Sequence, residues 1–150
     1  MSVQEDLKQL FDRDLKQALS ELKAYKKEEN LWKLSGEISN TAGNLLLHIC
    51  GNLRHFIGST LGNSGYIRRR DDEFNLKEVK RSDLVAELKT TKKVVSEVLE
   101  ELTDDQLNEI YPINVFGKEM TTQFFLIHLH GHLTYHLGQV NYHRRLLDNK

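Results

Sequence analysis

Apolar residues recur at three- and four-residue steps through most of the chain, and the pattern predicts four long helices. Leu7, Phe11, Leu15, Ala18, Leu19, Leu22 and Tyr25 form one stripe among Lys, Glu, Asp and Gln, so a first helix is expected from about Val3 to Glu29. Leu31 to Asn40 breaks the rhythm: Trp32, Leu34 and Ile38 read as apolar anchors in a loop punctuated by Ser35, Gly36 and Ser39. Asn40 or Thr41 can cap a second helix from about Ala42 to Leu61, with Leu45, Leu46, Ile49, Leu53, Phe56 and Ile57 as its core face. Gly62-Asn63-Ser64-Gly65 stops it.

Residues 62 to 81 then read as a long connection without structure of its own, anchored by Tyr66, Ile67 and Phe74. In a bundle such a segment carries the chain from one end to the other, which lets the third helix run parallel to the second. That helix is expected from Ser82 to Leu102, with Leu84, Leu88, Thr91, Val95, Val98 and Leu99 inward. Thr103 to Gln106 has capping-box spacing and predicts a short helical turn. Tyr111 to Glu119 reads as an extended loop or a small hairpin. Thr121 or Thr122 caps a last helix that runs to about Leu147.

Composition narrows the class. The single proline, Pro112, fits an all-α fold, and 150 residues suit one domain with a self-sufficient core. The 21 basic and 22 acidic residues cancel to a net charge of -1, so there is no global field to gather nucleic acid or to coat an anionic membrane. Arg68-Arg69-Arg70 is answered at once by Asp71-Asp72-Glu73 and reads as a solvated, self-compensated loop. The lone cysteine, Cys50, excludes an intrachain disulfide and reads as a small core residue. The polar N-terminus lacks a signal-peptide pattern and no apolar run reaches the ~20 residues of a membrane span, so a cytoplasmic location is expected.

The candidate chemistry is in the histidines. Five of the seven lie in the last twenty-three residues: His128, His130, His132, His136 and His143. On a helix turning about 100° per residue, Phe125, His128, His132, His136, Gln139 and His143 share a narrow sector, while His130 points the other way. His132 and His136 stand one turn apart, with Cα atoms about 6 Å from each other, so both imidazoles can meet one cation. His128 lies a turn too early to join them. A third ligand must come from another helix; His48, inside the core stripe of the second helix, is the best placed and His55 is the reserve. No Glu-x-x-His, His-Glu-x-x-His or Gly-rich phosphate motif competes.

His48 followed far downstream by Gly131-His132-Leu133-Thr134-Tyr135-His136-Leu137-Gly138-Gln139 resembles the DinB/YfiT-like superfamily, whose downstream pattern is His-x-x-x-His-x-Gly-Gln. The resemblance covers nearly the whole chain. It implies an up-down-down-up four-helix bundle, often homodimeric, with a divalent metal on His48, His132 and His136 at one end of the core. It also implies thiol-dependent S-transfer with a low-molecular-weight thiol, or metal-dependent hydrolysis. Relatives often carry Arg where Leu137 stands, so any role of that side chain is missing here.

Three neutral imidazoles leave an ion's charge uncompensated and positions open for water or substrate, as in catalytic rather than closed structural sites. Zinc and nickel are the foremost candidates and iron the alternative, since imidazole suits all three. The expected partner is a small-molecule substrate. Supporting roles are open to Asn52, one turn from His48, which can orient a ligand or touch substrate or else serve as a cap or core polar group, and to Gln139, which can bridge helices or reach the site. Tyr135 can donate to an oxyanion or pack with its hydroxyl satisfied, and His128 can line the pocket or a dimer seam. Thiol transfer stands ahead of hydrolysis. The rival is a non-catalytic bundle that is stabilised by metal and mediates dimerisation or partner binding.

Overall fold

The computed structural model describes residues 2–149, which form helices α1 (Val3–Ala24), α2 (Ala42–Leu53), α3 (Arg70–Asn75), α4 (Arg81–Glu101), α5 (Asp104–Asn108) and α6 (Thr122–Leu147). The predicted stripes become the core: Phe11, Leu15, Leu22, Leu46, Ile49, Leu84, Leu88, Leu99, Leu126 and Leu133 are all buried. Side chains of this size each contribute roughly 1.5–3 kcal/mol when fully removed from water. No strand forms among the described residues; the loop after α5 makes one isolated antiparallel bridge, Ile110 to Thr121, rather than a hairpin.

Cross-helix contacts set the directions. Gln4 and Lys8 near the start of α1 reach Leu99 and Glu100 at the end of α4, so these helices are antiparallel. Asp14 meets His130 and Glu21 meets Arg144, so α1 and α6 are parallel. His48 lies against His132 while Phe56, further along the same strip of chain, lies against Phe125, so α2 and α6 are antiparallel. Gly58 faces Val94 and Gly62 faces Val98, so the second and fourth helices run together. The result is an up-down-down-up four-helix bundle. Gly62 permits the close approach, since a Cβ there would overlap the Val98 side chain.

Helix one ends earlier than its stripe predicts. Tyr25 leaves helical geometry (φ -59°, ψ 125°), which frees the backbone N–H groups of Lys26 and Lys27 to donate to the Asp148 carboxylate at 2.6 and 3.2 Å. A short 3₁₀ segment, Glu28–Trp32, follows. Leu31 and Trp32 pack inward, but Leu34 (56%) and Ile38 (38%) are exposed and are not the anchors expected. Thr41 is the cap of α2, accepting from Asn44 N–H at 3.1 Å.

Two features depart more usefully. The second helix widens after Leu53 into a π-helical stretch, Arg54–Ser59, with Thr60 N–H bonded to His55 C=O and Gly62 N–H to Ile57 C=O. Such a widening re-aims the side chains of one turn. It is held from outside by the Tyr111 hydroxyl, which donates to Phe56 C=O at 2.6 Å. The connection expected to be structureless contains α3, and that helix packs on α2. Its acidic first turn, Asp71-Asp72-Glu73, suits a helix N-terminus.

Candidate metal centre

Three imidazoles converge between α2 and α6. His48 Nε2 lies 3.1 Å from His132 Nε2, and His136 Nε2 lies 3.0 Å from the same atom. All three ligand atoms fall within 4.8 Å of one another, the only such His/Cys/Asp/Glu group among the described residues. A tetrahedral ion with Zn–N bonds of ~2.0–2.1 Å holds its nitrogens roughly 3.3 Å apart. The observed spacing is already close to that.

The outer nitrogens explain why the inner ones are available. His48 Nδ1 sits 2.9 Å from Glu73 Oε1 and 3.4 Å from an Arg68 guanidinium nitrogen. A guanidinium only donates, so Nδ1 cannot carry a proton and bond to both. The shorter contact, to a carboxylate, makes Nδ1–H the donor to Glu73 and leaves Nε2 with its lone pair inward. Arg68 grips the same carboxylate with two bonds of 2.9 Å. Gln139 Oε1 plays the matching part for His136, accepting from Nδ1 at 2.7 Å. Histidine ligands are commonly oriented in this way by an acceptor behind the ring.

The corrected reading of residues 68–73 follows directly. Charge compensation is real, but it is buried rather than solvated: the Arg68 and Glu73 side chains are 12% and 6% exposed. Burial works to raise the Glu73 pKa, yet hydrogen bonds from His48 and Arg68 outweigh it and hold the carboxyl below its usual value. Gly51, facing this carboxylate across α2, has no Cβ to collide with it. Spacing gave no signal for Glu73, because α3 was not legible and the acidic run looked like an ordinary solvated turn.

In the metal-free protein, burial pushes His132 down to about 4, helped by the positive fields of His136, His48, His128 and Arg68. Burial also lowers His136, against the hydrogen bond to Gln139 and with the help of His48. The unfolded chain therefore takes up protons near pH 6.5 that the folded chain refuses. Metal-free stability is full above that pH and falls as the pH drops toward 4, by at most roughly 1.4 kcal/mol per pH unit for each such histidine. Urea midpoints of metal-free protein at pH 7, 5.5 and 4.5 are expected to fall in that order; a flat series would contradict this origin.

The remaining candidates divide. Asn52 lines a cleft beside the cluster, 7% exposed, and its Oδ1 finds no partner. His128 lies in the same cleft, stacked on Phe125 at 5.9 Å with the rings 9° from parallel. Tyr135 is 66% exposed and meets the cluster only as a ring whose centroid lies 5.4 Å from that of His136, so it does not pack as expected. His55 is outside the cluster. His130 donates to Asp14, tying α6 to α1, and His143 bonds to the Tyr25 hydroxyl and Lys33 C=O. These two imidazoles are structural.

Cys50 supplies no thiol to this chemistry. It is buried, and burial pushes its pKa up to about 12, so it carries almost no thiolate at neutral pH. A disulfide reagent is expected to find no reactive thiol in the native protein and one in urea; rapid native labelling would contradict the burial.

The comparisons with known proteins bear on this arrangement. No curated protein matches the chain. A solved structure described as a conserved protein from Enterococcus faecalis has a TM-score of 0.79 at 17% identity, covering 100% of this chain and 99% of that one. A DinB-like protein from Bacillus cereus has a TM-score of 0.75 at 20% identity, covering 95% and 91%. At those identities the likeness establishes the fold, and it is the DinB-like bundle. The family model described as "Protein of unknown function (DUF1572)" matches residues 2–150, and the chain belongs to that family.

Proposed function

We propose that the protein is a divalent-metal-dependent enzyme that activates a thiol or a water at His48, His132 and His136, with thiol S-transfer as the reading to test first. The observation that carries it is the convergence of three Nε2 atoms within 4.8 Å, with no carboxylate or thiolate among them. Such a donor set fits zinc, nickel or iron and leaves at least one position for a reactant. A bound divalent ion supplies Lewis acidity, which lowers the pKa of a thiol or water into the neutral range.

The chain's own residues do the rest. Glu73 and Gln139 hold two imidazoles in the tautomer that presents Nε2. The bundle keeps the cluster half-buried, and the adjoining cleft gives a reactant access. In the transfer, the thiol sulfur forms a bond to an electrophilic carbon while the carbon–leaving-group bond breaks. The leaving group departs with the electron pair, and the thiol proton passes to solvent.

The test uses untagged, zinc- or nickel-loaded protein with small thiols and an alkylating or arylating electrophile. Thiol loss above the uncatalysed rate is expected, abolished by chelator, restored by metal and lost in His136→Ala. Thiol loss indifferent to chelator and to His136→Ala would overturn the mechanism. Chelator-sensitive cleavage of activated esters with no thiol consumption would replace transfer by hydrolysis.

A further inference from the structure

The outward face of α6 carries almost no charge. From Thr122 to His143 there is no Lys, Arg, Asp or Glu. Phe124, Ile127, Tyr135, Tyr142 and Leu146 on this helix are each more than half exposed. With the exposed Gly131 and Gly138 they recur at three- and four-residue steps, so they form one stripe down the helix. The exposed face of α4 instead carries Glu87, Lys89, Lys93, Glu97 and Glu100, as a solvated face does. Aromatic side chains with few charges are the composition of an interface core.

The two glycines are an independent sign. Glycine is the poorest helix former after proline, so a mid-helix glycine needs a reason. Gly43, Gly51 and Gly58 on the second helix each face a side chain that leaves no room for a Cβ. A Cβ at Gly131 or Gly138 would meet nothing within 4 Å. No contact inside the chain requires these two to be glycine; a close approach from outside does.

The stripe is also its own complement. Phe124 and Leu146 lie eleven residues either side of Tyr135. Ile127 lies eight before it and Tyr142 seven after; Gly131 lies four before and Gly138 three after. A two-fold axis at Tyr135, with the helices antiparallel, therefore sets Phe124 against Leu146, Ile127 against Tyr142 and Gly131 against Gly138. A closed two-fold interface needs this reciprocity. Tyr142 and Leu146 also wall a groove of about 460 Å³ with Ile38 and Leu45, where Phe124 of the second copy can seat. The five large side chains expose roughly 600 Å² per chain, or about 1,200 Å² for a pair, which reaches the range of stable interfaces.

We infer that a second copy of this chain covers the stripe, α6 against α6, antiparallel about Tyr135. The Tyr135 ring lies beside His136, with centroids 5.4 Å apart. Pairing therefore covers the outer flank of the histidine cluster and leaves the cleft beside Asn52 as its opening.

Sedimentation equilibrium tests this on the untagged full chain. Wild type is expected at twice the monomer mass at about 50 µM. Ile127→Glu and Tyr142→Lys should each raise the dissociation constant at least about 100-fold, because each buries a charge in the seam. Mixed one to one, these two variants should pair again, since the new carboxylate faces the new ammonium while the other half of the seam is native. Gly131→Leu should separate the copies as well. All three positions are exposed in the single chain, so circular dichroism should show folded protein in each. Zinc content should be unchanged, which keeps this inference separate from the metal reading. A monomeric wild type overturns it, and if that monomer sediments with neutral phospholipid vesicles, the face belongs to a bilayer. A dimer indifferent to both Ile127→Glu and Gly131→Leu uses another surface and overturns it too. Variants that stay monomeric when mixed overturn the antiparallel register.

Discussion

His132→Ala is expected to cost the protein its ion. His132 is the hub of the cluster: both other Nε2 atoms lie within 3.1 Å of its own, and no other pair contact among the three is that short. Without it, a two-imidazole site remains. Four-ligand structural sites bind zinc with ~10–16 kcal/mol, or about 3–4 kcal/mol per ligand, so affinity should fall about 100- to 1,000-fold. Wild-type protein at metal concentrations a thousandfold above its Kd gains about 4 kcal/mol of stability, and the variant should gain only about 0.4–1.4 kcal/mol. The metal-free variant should also resist mild acid better than wild type, because it no longer buries an imidazole held down to about 4. Chelator competition and melting curves with and without metal check both halves. Equal metal affinity in wild type and variant would mean that the three histidines do not share an ion.

Glu73→Gln is expected to be the most damaging single change outside the cluster. The Glu73 carboxylate accepts from His48 and holds Arg68 in two bonds, with both side chains largely out of water. Removing one partner of a buried ion pair costs about 3–5 kcal/mol, because the other charge is stranded. For a chain of this size that is a fall in Tm of roughly 6–20 °C. Metal affinity should drop about 10- to 100-fold as the carboxylate that orients His48 and raises its basicity becomes a neutral amide. Gly51→Ala should act on the same carboxylate from the other side, since the new Cβ would stand where the Glu73 carboxylate is. The double variant should then be little worse than the more damaging single one. Full additivity, or a Glu73→Gln protein with unaltered metal affinity, would contradict the arrangement.

Local spacing carried much of this molecule. The four long helices follow from stripes that are local in sequence, and His132 and His136 follow from a one-turn spacing. His48 was legible only jointly: a lone imidazole on an apolar face is ordinarily a core residue, but the His132–His136 pair needs a third ligand from another helix. What was missed depends on contacts between distant segments. Helix α1 stops at Ala24 because its next two N–H groups are taken by Asp148, more than 120 residues away in the chain. The short α3 has too few residues for a periodic signal, so Glu73 looked like part of a solvated acidic turn. The π-helical stretch at Arg54–Ser59, whose Phe56 lines the cleft, leaves the hydrophobic pattern nearly unchanged and so gives no signal in the sequence. Gln139 was placed on the correct face of α6, but only the structure shows that its oxygen holds His136.

The most direct test of the centre is X-ray absorption at the zinc edge on untagged protein loaded with one equivalent of zinc. The expected spectrum has three imidazole ligands at ~2.0–2.1 Å and at least one oxygen scatterer that exchanges with added ligand. A sulfur at ~2.3 Å, a fourth protein ligand closing the site, or fewer than three imidazoles would contradict it.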